Sequence, residues 1–276
     1  FLNNNEERFG IVFNNKVTDL TGKINNIKSL KELIQFNCLE EGRSYAKKNP
    51  EDTDINSIKL LPVIPNPSKI ICVGLNYHEH VKETEKTIAD NPVTFQRFND
   101  SQVAHMENMI IPKASDNLDF EGEMALIMKD SESHLSEDDA LKYIAGYSCY
   151  NDGSVRDFQR HTSQYTPGKN FPATGPFGPY LVTPDEVGDY KKLPIETRLN
   201  GKIMQKAKLS DLIFPIPKLI NYISSFTTLT TGDVIVTGTP GGVGDRRDPP
   251  VYMKPGDVVE VEIGKVGILM NFITED

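Results

Sequence analysis

The sequence predicts a β-rich α+β body with few short helices, spanning residues 66–276 and preceded by a small N-terminal α/β unit over residues 1–65. Three observations carry this. Short apolar, β-branched runs outnumber helical patterns and do not alternate with them, which disfavours a parallel βαβ fold and favours antiparallel or mixed pairing. Asn200-Gly201, set between two such runs, is the strongest short hairpin signal a sequence offers. Pro62, Pro65 and Pro67 punctuate LPVIPNPSK, where neither a helix nor a central strand can continue, so a linker belongs there. Roughly 60 residues before that break would bury only a marginal core alone.

The elements follow in order. GIVFNNKVTDLT reads as a hairpin, with a strand over Gly10–Phe13, a turn at Asn14-Asn15 and a return strand over 16–20. Ser29 with Glu32 three residues on is a capping-box signature, and Leu30, Leu33, Ile34 and Phe36 predict a short helix behind it. Residues 70–73 and 123–128 are apolar runs of strand length. Ser136 opens SEDDALKYIAG, which predicts a capped helix stopping at Gly146. Residues 147–150 are apolar and aromatic, and residues 197–199 and 202–204 flank the Asn-Gly turn. A helix is predicted over 218–226, and strands over 234–237, Val258–Ile263 and 267–272 close the chain. There is no internal repeat and no low-complexity tract.

Composition excludes several function classes. Among 276 residues, 30 Lys+Arg stand against 39 Asp+Glu for a net charge of -9, so the basic footprint of a nucleic-acid binder is absent. No stretch approaches the roughly 20 consecutive apolar residues of a membrane span. FLNNNEERFG has neither the basic nor the apolar segment of a signal peptide. Cys38, Cys72 and Cys149 are far apart without a CxxC, which points to thiols used as small core residues in a reducing compartment. A soluble, acidic, cytoplasmic protein with a small-molecule substrate is expected, without nucleic acid or membrane as partner.

Chemistry-bearing residues fall in four places. In Asp119-Phe120-Glu121-Gly122-Glu123, Glu121 and Glu123 point the same way if the segment is extended, because strand side chains alternate. Two carboxylates on one side repel unless a proton or cation lies between them. Without Cys or His nearby they suit Mg²⁺, Mn²⁺ or Ca²⁺ rather than zinc; alone, such a pair is equally a solvated edge strand. Asp152, in a loop just beyond the 147–150 run, stands where a scaffold places a third ligand or an Asx turn. In GLNYHEHVKE, His80 and Glu83 share a face if the segment is helical. A carboxylate beside imidazole fixes its tautomer and makes a usable base, although a surface ion pair has the same spacing. His78-x-His80 lacks the further ligands a zinc site needs. Finally, TGTPGGVG follows a strand but lacks the Lys-[Ser/Thr] of a P-loop, so a loop offering a Thr hydroxyl to a small anion is the better reading. Lys169, among turn formers in PGKNFP, could meet a carboxylate substrate. No GxGxxG follows a strand and opens a helix, which argues against a dinucleotide-dependent oxidoreductase.

In this order the segments GLNYHEHVKE, VTFQRF, DFEGEMALIM, GYSCYNDGSVRDFQ, GKNFPATGPFGP and VIVTGTPGGVG resemble the fumarylacetoacetate hydrolase family, from about residue 67 to 272. The resemblance implies a mixed β-roll or sandwich around a carboxylate-held Mg²⁺ or Mn²⁺, in a homodimer. By matching motif positions it implies Glu121, Glu123 and Asp152 as metal ligands. His80 and Glu83 would be a water-activating dyad on a lid segment. Lys169, Gln159, Thr239, Arg97 and Tyr77 would contact substrate or its developing oxyanion, Lys169 also in a catalytic role. Where many relatives have Phe-Asp after the lysine, this chain has Asn170-Phe171-Pro172. The chemistry so implied is hydrolysis of a 2,4-dioxo acid of the acylpyruvate type to pyruvate and a carboxylic acid. Its alternative is decarboxylation or isomerisation of a 2-oxo or 2-hydroxydienoic diacid, of the oxaloacetate or hydroxyheptadienedioate type.

Overall fold

The computed structural model describes residues 1–51 and 53–276. Two mixed sheets face each other. The larger has seven strands in the spatial order Val93–Arg97, Ile70–Gly74, Val234–Val236, Gly122–Met128, Ile144–Asn151, Gly175–Val182 and Gln102–Val103. The smaller has five, Lys202–Lys208, Pro194–Leu199, Val258–Ile263, Gly267–Glu275 and Asn108–Ile111. Most neighbours are antiparallel, with parallel pairs where Val234–Val236 meets Ile70–Gly74, where Gly175–Val182 meets Gln102–Val103 and where Gly267–Glu275 meets Asn108–Ile111.

The strand period of two sorts the core. Met124, Leu126 and Met128 join Ile71, Val73 and Ile235 on the face that meets Ile195, Val261, Ile263 and Leu269 of the smaller sheet. Their odd-face neighbours Ala125, Ile127, Ile70, Cys72, Val234 and Val236 pack in a second cluster with Ile34 and Ile64 from the N-terminal segment. The central strands are therefore buried on both faces, and this is why 70–73 and 123–128 read as continuous apolar runs rather than as alternation. The Ile216–Phe226 helix lays Ile216, Leu219, Ile220 and Ile223 on the first cluster, following its 3.6-residue period.

Before residue 65, a three-stranded sheet (Gly10–Phe13, Lys16–Asp19, Thr53–Asp54) and the helices Leu30–Gln35 and Leu39–Lys48 enclose Phe9, Leu20, Ile24, Ile27, Leu33 and Cys38. The second helix had no clear sequence signal. Its Arg43 is bound to Asp185 at 2.9 Å, tying this segment to the larger body. Both predicted hairpin turns form with left-handed residues, Asn14 and Asn15 at φ 50° and 61°, Asn200 and Gly201 at 52° and 75°, as a type I′ turn requires.

The helix expected after Ser136 does not form. Ser136 Oγ accepts from the Asp139 N–H at 3.2 Å, but the cap is followed only by a 3₁₀ turn over Ala140–Tyr143, and the chain enters the Ile144–Asn151 strand. Gly146 is not a stop. It lies opposite Ile127 in that strand, where a Cβ would come within 2.3 Å of Leu181 Cδ2. Burial of the strand overrides the local helical pattern. At Ser29 the cap forms as expected, while the Glu32 carboxylate reaches the Lys28 N–H at 2.6 Å, one residue short of a full capping box. All three cysteines are buried and free.

Candidate metal centre and dyad

The site is built at one end of the central antiparallel pair. Gly122 opposes Asn151 in the ladder, so Glu121 and Glu123 bracket the end of one strand while Asp152 leaves the end of its neighbour. Backbone bonds fix the register: the Asp152 N–H donates to the Glu121 carbonyl at 2.8 Å, and the Glu121 N–H to Asn151 Oδ1 at 2.9 Å. Gly122 allows the smaller sheet to close on this corner, since a Cβ there would lie 2.0 Å from Thr197 Oγ1. One oxygen from each of Glu121, Glu123 and Asp152 lies within 4.8 Å of the others, and all three residues are buried.

Buried charges of this density need partners. Lys169, itself buried, places Nζ 2.6 Å from Asp152 Oδ2 and 2.8 Å from Glu121 Oε2, over the Phe95 ring. Arg97 Nη1 is 2.7 Å from the other Asp152 oxygen. Arg156 Nη1 is 2.6 Å from Glu121 Oε1, and its Nε donates to buried Asp119 at 2.8 Å. Burial alone would raise the Glu121 pKa, but the Lys169 and Arg156 cations hold it at about 2. Glu123 is pushed well up, by burial first and then by the charges of Asp152 and Glu121. Lys169 is held above its ordinary value because Asp152 and Glu121 outweigh its burial. Three cations thus face four acidic groups, one more than they can balance. Oxygen-only donors with that excess fit a hard divalent cation held by Glu121, Glu123 and Asp152.

The dyad sits on the His78–Glu83 helix, with His80 Nδ1 2.8 Å from Glu83 Oε1. An ionised carboxylate can only accept, so Nδ1 carries the proton and Nε2 is left as the base. His80 lies within electrostatic reach of Glu121. Asn76 anchors the segment before the helix, donating to the Phe214 and Thr237 carbonyls and accepting from the Phe214 N–H.

The glycine-rich loop after Val234–Val236 binds anions, but they are the protein's own. The Gly238 N–H donates to Glu123 at 2.5 Å, Gly242 to Glu83 at 2.8 Å and Gly244 to Asp119 at 2.9 Å. Gly238 and Gly242 both sit at φ 104°, and a Cβ on Gly242 would lie 2.2 Å from the Met204 carbonyl. Thr239 Oγ1 is engaged internally, donating to the Gly122 carbonyl and accepting from Gln205 Nε2. Gln159 accepts from Arg156 at 2.9 Å, and the Tyr77 hydroxyl is buried without a hydrogen-bond partner among the described residues. Arg97 lies behind Asp152. Asn170 accepts from the Phe98 N–H at 2.6 Å and donates to the Gln96 carbonyl at 3.1 Å, so it ties the Lys169 turn to the edge strand. Asp119, Arg156, Gln205 and Asn76 are the parts the sequence did not single out. Asp119 and Arg156 lay inside quoted motifs, but nothing in one dimension says which carboxylate a guanidinium will meet.

Residues 69–274 match the model of the fumarylacetoacetate (FAA) hydrolase C-terminal domain. A rat (Rattus norvegicus) protein, the mitochondrial oxaloacetate tautomerase Fahd2a, is 39% identical over 217 residues, covering 78% of this chain and 69% of its own. The crystal structure of a fumarylacetoacetate hydrolase from Exiguobacterium antarcticum superposes with a TM-score of 0.84 at 31% identity, covering 100% of this chain and 98% of that one. That of maleylpyruvate hydrolase from Sphingobium sp. SYK-6, in complex with manganese(II) and pyruvate, gives 0.82 at 26% identity over 97% and 96%. No helix among the described residues is long and apolar enough to cross a membrane. The chain is an enzyme of the fumarylacetoacetate hydrolase family.

Proposed function

We propose that the protein is a Mg²⁺- or Mn²⁺-dependent hydrolase that cleaves the C3–C4 bond of a 2,4-dioxo acid of the acylpyruvate type, releasing pyruvate and a carboxylic acid. The observation that carries this is the His80–Glu83 pair beside the three-carboxylate centre, a base oriented for water next to a site for a chelating 2-oxo acid. The neighbour with manganese and pyruvate supports the same substrate end. When bound, the cation would supply Lewis-acid stabilisation to an enolate at the 2-oxo position. Everything else is asked of the chain. His80 Nε2 takes a proton from water while Glu83 holds the ring, and the Gly242 N–H holds Glu83. The hydroxide adds to C4, the C3–C4 bond breaks with its electron pair left on the pyruvate fragment, and C3 takes up a proton. Lys169 supplies positive charge at the developing oxyanion.

A second reading has its own support: the tautomerase relative at 39% identity. The same base, moving a proton at C3 of oxaloacetate without adding water, would interconvert keto and enol forms. A pyruvate-release assay over a panel of acylpyruvates and oxaloacetate, run beside an enol-absorbance assay with Mg²⁺, Mn²⁺ or EDTA, separates the two. Metal-dependent pyruvate with the matching carboxylic acid establishes hydrolysis. Loss of enol absorbance from oxaloacetate without pyruvate moves the activity to tautomerisation.

A further inference from the structure

We propose that Arg97 is a positioning residue for Asp152, and through it for the metal, rather than a group that meets substrate; this rests on the metal-centre reading above. The guanidinium has no accessible surface. Its fork is taken up by protein on every side: Nε donates to Ser101 Oγ at 3.3 Å, Nη1 to Asp152 Oδ1 at 2.7 Å and to the Gly153 carbonyl at 3.0 Å, and Nη2 to Thr174 Oγ1 at 2.8 Å. Asp152 has two oxygens, and Arg97 holds one while Lys169 meets the other. The planar fork therefore fixes the rotation of the Asp152 carboxylate, because one N–H group grips both its side chain and the next carbonyl along the chain.

The surroundings are shaped for arginine. At Gly175 a Cβ would stand 2.8 Å from Arg97 Nη2 and 2.8 Å from the Tyr150 hydroxyl, which is buried beside the guanidinium and has no hydrogen-bond partner among the described residues. A lysine ammonium is a single point without the fork and could satisfy only part of this set. Arg97→Lys thus keeps the charge and removes the geometry, which is the distinction the inference turns on.

The test is calorimetric titration of metal-stripped protein with Mn²⁺, followed by pyruvate at saturating Mn²⁺, for wild type, Arg97→Lys and Gly175→Ala. Gly175→Ala leaves every atom of Arg97 present and displaces the fork, pressing on the Tyr150 hydroxyl as well. Both variants are expected to bind Mn²⁺ about 10–100-fold more weakly, the usual effect of removing a residue that orients a metal ligand, with pyruvate affinity at saturating Mn²⁺ unchanged. Wild-type affinity for Mn²⁺ in both variants overturns the proposal. So does weakened pyruvate binding in Arg97→Lys with Mn²⁺ affinity intact, which would make Arg97 a substrate contact. Failure of wild type itself to bind Mn²⁺ would instead remove the metal-centre reading, and is seen before any variant is compared.

Discussion

Lys169→Met removes the one cation that meets two of the three converging carboxylates. The ammonium is 1% exposed and lies 2.6 Å from Asp152 and 2.8 Å from Glu121. A methionine fills nearly the same volume but leaves both carboxylates without that partner. Breaking a buried ion pair from one side costs about 3–5 kcal/mol, and at about 2–4 °C per kcal/mol for a large domain the melting temperature should fall by roughly 6–20 °C. Two things limit the loss, and both give the prediction a sign. Glu121, held at about 2 by Lys169 and Arg156, will titrate higher in the variant and can take up a proton in the folded state. In wild type the lowered Glu121 pKa adds stability above its ordinary value of 4.5 that is lost as pH falls towards about 2, so the variant's deficit should shrink as pH falls through that range. A divalent cation should also restore the missing charge, so Mn²⁺ should raise the variant's melting temperature by more than that of wild type. Scanning calorimetry at pH 3 and 7, in EDTA and in Mn²⁺, measures all three. Equal melting of the two proteins in EDTA at pH 7, or an equal shift with Mn²⁺, would refute the argument that Lys169 is the charge partner of this site.

Two other expectations follow from the geometry. His80→Ala should lower turnover by about 10²–10⁴-fold with Mn²⁺ affinity unchanged, because His80 bonds Glu83 and not Glu121, Glu123 or Asp152; an undiminished rate in that variant would exclude the dyad as the base. Cys149 is pushed up to about 12 by burial, so above pH 9 the unfolded chain ionises this thiol while the folded one does not. Stability should therefore fall from pH 9 upward by about 1.4 kcal/mol per pH unit for this group, and urea unfolding of Cys149→Ala should show a shallower decline; identical slopes would contradict the assigned burial effect.

How much of this was legible depended on the range of the interaction that decides it. The Asn200-Gly201 turn and the strands around it are set by local backbone preference, and they form where the pattern put them. Glu121 and Glu123 could be placed on one side because alternation is a property of a single strand. The failed helix after Ser136 shows the converse: its capping serine is real, but the Ile144–Asn151 strand is pulled into the sheet by neighbours the local pattern does not contain. The same holds for Asp119 and Arg156. Their pairing spans 37 residues of chain, and it joins two motifs that each look complete alone. The sequence predicts a loop that offers a Thr hydroxyl to a small anion; the N–H groups of that loop meet carboxylates of the protein itself, brought from distant segments.

The placement of the two halves of the site has a consequence for the order of events in a turnover. The three carboxylates hang from the central, doubly covered strand pair and are braced by its ladder. The dyad rides on a helix of six residues that buries His80 and Val81, with polar ties at Asn76 before its start and from one main-chain N–H of Gly242 at its end. Local opening of the helix breaks few bonds and leaves the ladder whole. Under the proposed function, the centre would fill and empty with the base swung aside. Such a molecule would load its anchor before its reagent, and commit its water only once the substrate is in place.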